Sequence, residues 1–252
     1  MISINTETTK NLLCMGLLAI CLFVSACAHQ TSDQVSDPYE NVNRKIFAVN
    51  DTLDKAILEP VAKGYRAATP GFGRTMVRNF LRNLNSPTII GNQLLQGDLS
   101  GAGNSSARAV INTLAGFGGI LDLATEGGIE YEHEDFGQTL AVWGVKSGPY
   151  LMLPLMGPSN ARDLAGNLVD GYADPLRTYL FNIDEKPLHY ARVASSVVSK
   201  REELIEVIDD LRRNSFDYYA ALRSAYNQRR QNEISDNQFS GDMMAMDYPD
   251  FD

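Results

Sequence analysis

The chain has 252 residues, a formal net charge of −9, and 44% hydrophobic and 21% charged residues. That composition suits a folded globular protein. The acidic balance excludes a nucleic-acid partner and adhesion driven by anionic lipid, both of which want a basic face.

The N-terminus supplies a different route to a membrane. Asn11 to Val24 (NLLCMGLLAICLFV) is an apolar run of 14 residues with one Asn, preceded by Lys10. It is too short to span a bilayer, which takes roughly 20 residues, and has the length of a signal-peptide core. Val24-Ser25-Ala26-Cys27 follows and resembles the bacterial lipobox, in which the Cys is lipidated and begins the mature chain. Residues 1–26 therefore read as a lipoprotein signal peptide and Cys27 as the lipid-attachment site. Cys14 and Cys21 leave with the signal, so the mature chain has no intramolecular disulfide. Ala28 stands where inner-membrane retention commonly wants Asp, and by that resemblance the destination is the periplasmic leaflet of the outer membrane. Several acyl chains at ~0.8 kcal/mol per buried CH₂ make such an anchor effectively permanent.

Residues 27–36 are polar and read as a tether. Asp37-Pro38-Tyr39-Glu40 carries an N-cap, a first-turn Pro and a Glu. It opens a helix whose stripe is Val42, Ile46, Val49, Leu53 and Ile57. The polar-then-proline device recurs at Thr69-Pro70, Ser86-Pro87 and Asp174-Pro175, and argues for a mainly α protein. Met76, Val77, Phe80, Leu81 and Leu84 predict a second helix. Ile89, Ile90, Leu94 and Leu95 predict a third, ended by Gly97. Residues 104–115 predict a fourth, with Ala107, Val110, Ile111 and Leu114 on one side and Gly116 at its C-cap. Residues 125–134 read as a loop or short hairpin, and 135–143 as a helix ending at Gly144. Pro149 to Leu153 reads as extended, and Ser159 as the cap of a helix reaching about Asp170. From Pro187 to Arg230, apolar residues at near-helical spacing predict one or two long helices with a solvated face. Residues 37–231 thus form the helical domain. The tail, 232–252, has six acids and no Lys or Arg and reads as disordered.

Glu134 to Asp163 holds the one Trp of the chain, Trp143, and glycines and prolines interrupt every periodic run in it. Both a soluble core and a passage for a greasy ligand are built that way. Catalytic signatures are missing. Gly157-Pro158-Ser159-Asn160-Ala161 lacks the second glycine of a nucleophile elbow. Gly116-Phe117-Gly118-Gly119 lacks the spacing of a nucleotide loop. No HExxH, CxxC or paired-His spacing offers a metal site, and His133 among acids reads as a solvated loop residue. No enzyme activity, cofactor or metal is expected.

The mature sequence resembles the MlaA (VacJ) family of outer-membrane lipoproteins. The match runs through Asp37-Pro38-x-Glu40-x-x-Asn43-Arg44-x-x-Phe47, Asn50 and Asp54, then Asn79-Phe80-x-x-Asn83-Leu84-x-x-Pro87. It continues at Arg108, Asn112, Gly116, Gly119 and Asp122. The densest block is Asp135 to Leu140, Trp143-Gly144, Gly148-Pro149-Tyr150, Leu153-Pro154, Gly157-Pro158 and Arg162-Asp163. Ala109 departs from it, since the family more often has an aromatic there. The resemblance implies a ring-like arrangement of amphipathic helices lying in the membrane plane around a central channel. It implies removal of mislocalised phospholipid from the outer leaflet and delivery to a periplasmic carrier, MlaC, beside a porin trimer. Interrupted backbone at membrane depth is tolerated where it lines a cavity. Trp143, Tyr150, Leu151, Leu153 and Pro154 are therefore the candidate channel lining. Asn43, Arg44, Phe47, Asn50 and Asp54 form the candidate gating helix. The alternative is a structural lipoprotein that scaffolds porins without transporting lipid, with an envelope phospholipase a distant third.

Overall fold

The computed structural model describes residues 37–242, with side chains as far as Ser235. The signal peptide, Cys27, the tether and the tail beyond Asp242 lie outside the described residues. The domain is mainly helical with one small sheet. No described helix is long and apolar enough to cross a membrane.

α1 spans Glu40–Leu53, and a π-turn at Asp54–Leu58 passes directly into α2, Glu59–Ala68. The sequence placed Asp37 as the first cap. Tyr39 occupies the N-cap instead, with no side-chain cap bond. The Asp37 carboxylate accepts from Asn43 Nδ2 at 2.7 Å, from Arg223 at 2.8 Å and from the Tyr219 hydroxyl. A guanidinium is a stronger partner than a neutral backbone N–H, so Asp37 ties down the domain's last helix rather than starting the first.

α3 is a single helix, Gly71–Gln96, with Pro87 inside it. The predicted second and third helices are therefore one, and Ser86-Pro87 is not a start. An interior Pro costs about 3 kcal/mol or more, and packing of α3 along α4 offsets it. α4, Leu99–Leu114, begins earlier than residue 104 because Asp98 caps it, accepting from Gly101 N at 2.9 Å. Its burial is inverted. Gly101, Ala102, Ser105, Arg108 and Asn112 face inward, while on the apolar side read from the sequence Ala107 and Ile111 are half-buried and Val110 and Leu114 are exposed.

α5, Leu123–Glu126, takes the first two residues of the stretch 125–134, and the rest is the loop that the sequence offered beside a short hairpin. The Asp122 side chain caps it, which commits the chain to a helical turn. α6 is Phe136–Val142, as the spacing predicts. The hairpin lies further on: β1, Tyr150–Leu153, pairs antiparallel with β2, Gly157–Asn160, in the register Tyr150↔Asn160 and Leu153↔Gly157. α7, Ala161–Ala173, is capped by Asn160, which accepts from Asp163 N at 2.8 Å; Ser159 belongs to β2. α8, Pro175–Asn182, has its predicted Asp174 cap. α9 (Lys186–Glu203), α10 (Ile205–Asn214) and α11 (Tyr218–Asp242) follow, so helix continues ten residues past Asn232, where the tail was expected to begin.

α9 packs against α2 and α3, and α11 against α6 and β2. The apolar core at the hairpin is small: Tyr150, Met152 and Tyr219, with Ile46, Phe47, Leu222 and Tyr226 against them. Among the described residues, eighteen polar or charged side chains are buried against nine apolar ones. Large apolar residues lie outside, including Leu114 (81% exposed), Leu155 (80%) and Phe117 (76%). Water-facing domains are built the other way round.

Candidate functional site

The residues of α1 meet the hairpin through matching periods. Asn43 and Asn50 are seven residues apart, roughly 10.5 Å along one helix face. Three residues of β1 rise roughly 10 Å. Asn43 Nδ2 donates to Tyr150 O at 3.1 Å and its Oδ1 accepts from Met152 N at 2.9 Å. Asn50 repeats the arrangement with Leu153 O at 2.8 Å and Leu155 N at 2.9 Å. Asn43 thus occupies the edge of β1 that β2 leaves open, while Asn50 holds the end of β1 and the turn that follows it, where Leu155 lies. The polar face of the candidate gating helix is therefore not a solvated one at Asn43, which is 2% exposed.

The remaining residues of the candidate gating helix hold other partners. Arg44 forms a bidentate pair with Asp217 (3.1 and 2.6 Å) and lies over the Tyr219 ring. Phe47 sits edge-on to Tyr218 and Tyr219. Asp54, opening the π-turn, accepts from Arg201 at 2.7 and 2.9 Å and from Arg212 at 3.0 Å. Glu59, one turn on, takes hydrogen bonds from Lys63 and Arg212 that bring its carboxyl down to about 2.

The predicted lining divides. Tyr150 is sealed in the core, with 1% exposure, unlike the other residues of the candidate lining. Strand alternation turns Tyr150 and Met152 inward, where Tyr219 and Tyr226 meet the Tyr150 ring edge-on. Leu151 and Leu153 are half-buried on the other face. Pro154 is exposed and leads into the apolar tip, Leu155-Met156. Trp143 is half-exposed, donating Nε1 to Leu95 O at 3.0 Å, with its ring edge-on to Phe136.

Behind the hairpin lies a charged knot that the sequence did not single out as a site. Arg230 of α11 donates two 2.7 Å bonds to Asp135 and bonds of 2.9 and 3.0 Å to Asp163. Asp163 also accepts from Tyr226 at 2.6 Å and Asn160 at 2.7 Å. Burial pushes the Asp135 carboxyl up, but the Arg230 bonds and charge outweigh it and leave Asp135 at about 2. α6 and α7 approach so closely here that a Cβ on Gly166 would stand 2.3 Å from Gly137 N. A second knot joins Arg108, Asn112, Asp122 and Thr125, with Arg108 Nη2 donating to both Asp122 carboxylate oxygens at 2.9 Å. Among the described residues no cluster of three or more His, Cys, Asp or Glu could hold a metal ion. His133 stands 3.9 Å from Asp135, and burial pushes its pKa down.

A cavity of about 530 Å³ opens between the start of α3 and the end of α9, lined by Arg66, Arg74, Arg78, Glu202 and Glu203. It is polar, unlike the greasy lining expected from the Glu134–Asp163 stretch. Residues 35–233 match the family model described as MlaA lipoprotein. The chain belongs to the MlaA lipoprotein family. The intermembrane phospholipid transport system lipoprotein MlaA of Escherichia coli K12 is 34% identical, covering 81% of each chain. Its Haemophilus influenzae counterpart is 31% identical over 90% of this chain and 92% of the relative. An uncharacterized Rickettsia bellii protein is 38% identical over 80% of this chain and 78% of its own length. A solved structure described as the structural basis for maintenance of bacterial outer membrane lipid asymmetry superposes with a TM-score of 0.69. It is 34% identical and covers 79% of this chain and 99% of its own.

Proposed function

We propose that this protein removes mislocalised phospholipid from the outer leaflet of the outer membrane and passes it to a periplasmic carrier, preserving lipid asymmetry. The single observation that carries the reading is the inverted α4. Its inward face is Arg108, Asn112 and Ser105, while Val110 and Leu114 point out. Polar groups are buried this way, and apolar ones left out, when the surroundings are hydrocarbon and the polar groups must satisfy one another. Family membership and the named relatives agree with it.

On this reading Cys27 carries the acyl anchor and the apolar outer faces rest in the inner half of the outer membrane, beside a porin trimer. The carrier, MlaC, accepts the lipid on the periplasmic side. The hairpin is the movable part: its tip is exposed and apolar, and the two asparagines hold its edge to α1. Lipid transfer needs no bond made or broken, so no enzymatic step is invoked.

The test is to express the chain in a Gram-negative strain lacking its own family member and measure surface-exposed phospholipid, alongside phospholipid co-purified with the detergent-extracted protein. Restored asymmetry with bound phospholipid is expected. Unrestored asymmetry with a folded, lipid-free protein at normal abundance would refute the reading, since only a porin scaffold need carry no lipid.

A further inference from the structure

The chain is acidic overall, yet the 26 residues of α3 include Arg74, Arg78 and Arg82 and no Asp or Glu. Spacing of four places all three on one face, and that face meets α9 at Glu202 and Glu203. The carboxylates there are shared. Glu202 receives Arg66 at 2.7 Å and Arg74 at 3.2 Å. Glu203 receives Arg78 at 2.8 Å and only distantly Arg82, at 3.9 Å. Arg66 also holds Glu206. Four guanidiniums (Arg66, Arg74, Arg78, Arg82) therefore face three carboxylates (Glu202, Glu203, Glu206), an excess of one positive charge.

The members differ in what they can release. Arg74 is fixed, donating to the Arg66 and Thr69 carbonyls, and the Glu202 side chain is 6% exposed. Arg78, Arg82 and Glu203 are 30%, 39% and 33% exposed. Arg82 is braced over the Tyr131 ring at 4.6 Å. Arg78 and Glu203 line the 530 Å³ cavity. A partly exposed Arg–Glu pair contributes little stability, whereas phosphate offers two guanidiniums the planar, bidentate contacts they favour.

We propose that this cavity receives the phosphate group of a phospholipid headgroup, with Arg78 of its lining as the first contact, Arg82 reaching in from beside it past Glu203, and Glu203 as an internal anion that the phosphate displaces. The inference rests on the lipid-transfer reading above and assigns it a headgroup site away from the hairpin.

The experiment is calorimetric titration of the full chain, in non-ionic detergent, with dihexanoyl phosphatidylglycerol, inorganic phosphate and dihexanoylglycerol. Arg78→Gln with Arg82→Gln is expected to weaken the phosphatidylglycerol by about tenfold or more, the scale of lost charge-assisted hydrogen bonds. Glu203→Gln is expected to tighten it severalfold by removing the competitor, a gain that a merely structural ion pair does not give. Dihexanoylglycerol binding should be the same in every variant. Unchanged phosphatidylglycerol affinity in Glu203→Gln and in the arginine variant would overturn the proposal. So would inorganic phosphate binding as tightly as the lipid, which would make this a free-anion site. If the double variant does not fold, Glu203→Gln alone decides. Normal lipid binding by all variants in a protein that restores asymmetry sinks this site and leaves the function; a wild type that neither binds lipid nor restores asymmetry sinks both.

Discussion

The hairpin is flanked on its two sides by contrasting chemistry, and the charged side belongs to α6 and α7 behind it, not to the strands themselves. Toward α11, Asp163 and Asp135 are fixed by five charged or hydroxyl-based bonds from Arg230 and Tyr226. Toward α1, the same hairpin is held by four neutral amide bonds from Asn43 and Asn50. Buried ion pairs are unforgiving when broken, because each leaves an unpaired charge. Neutral amide bonds leave no unpaired charge when broken, and cost about 1–3 kcal/mol where a buried partner is left unsatisfied. The α11 side is built to stay, and the α1 side to let go.

Breaking the knot should therefore have the largest effect. Arg230→Ala strands two carboxylates and should lose about 3–5 kcal/mol, read as a lowered midpoint in chemical denaturation. A variant within about 1 kcal/mol of wild type would mean that the knot does not anchor α11.

Releasing the other side should cost less and act locally. Asn43→Ala leaves Tyr150 O and Met152 N unpaired and should cost about 1–3 kcal/mol; Asn50→Ala, nearer the exposed tip, should cost less. The checkable signature is amide hydrogen exchange. In the double variant Met152 and Leu155 should exchange much faster, while Gln138, held by Asp135, should not. Uniform acceleration would mean that the two sides are one cooperative unit.

Acid sharpens the same contrast. Asp135 and Glu59 titrate at about 2 when folded, below their ordinary 3.8 and 4.5. Their contribution is fully present above about pH 4.5 and is lost as pH falls towards 2. His133, its pKa pushed down by burial, acts in the same direction, since protonation favours the unfolded chain. Denaturation midpoints should fall on acidification, and Asp135→Asn should flatten the lower part of that fall.

How much of this was legible follows from where the partners lie. Asp174-Pro175 opens α8 as the sequence indicates, because cap and helix are adjacent. α6 and the extended Pro149–Leu153 segment were likewise local. The asparagine clamp was not, because its partners lie 103 to 109 residues away. The polar spacing of Asn43 and Asn50 was visible, but not what it faced. Tyr150 was read as lining, although strand alternation decides which side it turns to, and the sequence does not show which side is packed. Periodicity located an apolar stripe on α4 at Val110 and Leu114 but not the direction it faces, since period is silent about whether the surrounding medium is water. Pro87 misled because the usual rule is local and the packing that overrides it is not. The arginines of α3 were in plain sight, and the absence of any acid on that helix was the signal available for the cavity.

The most direct test of the central claim, that the α1 edge of the hairpin controls lipid passage, is to co-express Asn43→Ala/Asn50→Ala with the wild-type chain and measure surface-exposed phospholipid. A released hairpin is expected to leave the passage open and raise outer-leaflet phospholipid even with the wild type present. Normal outer-leaflet composition, with the variant folded and at wild-type abundance, would contradict it.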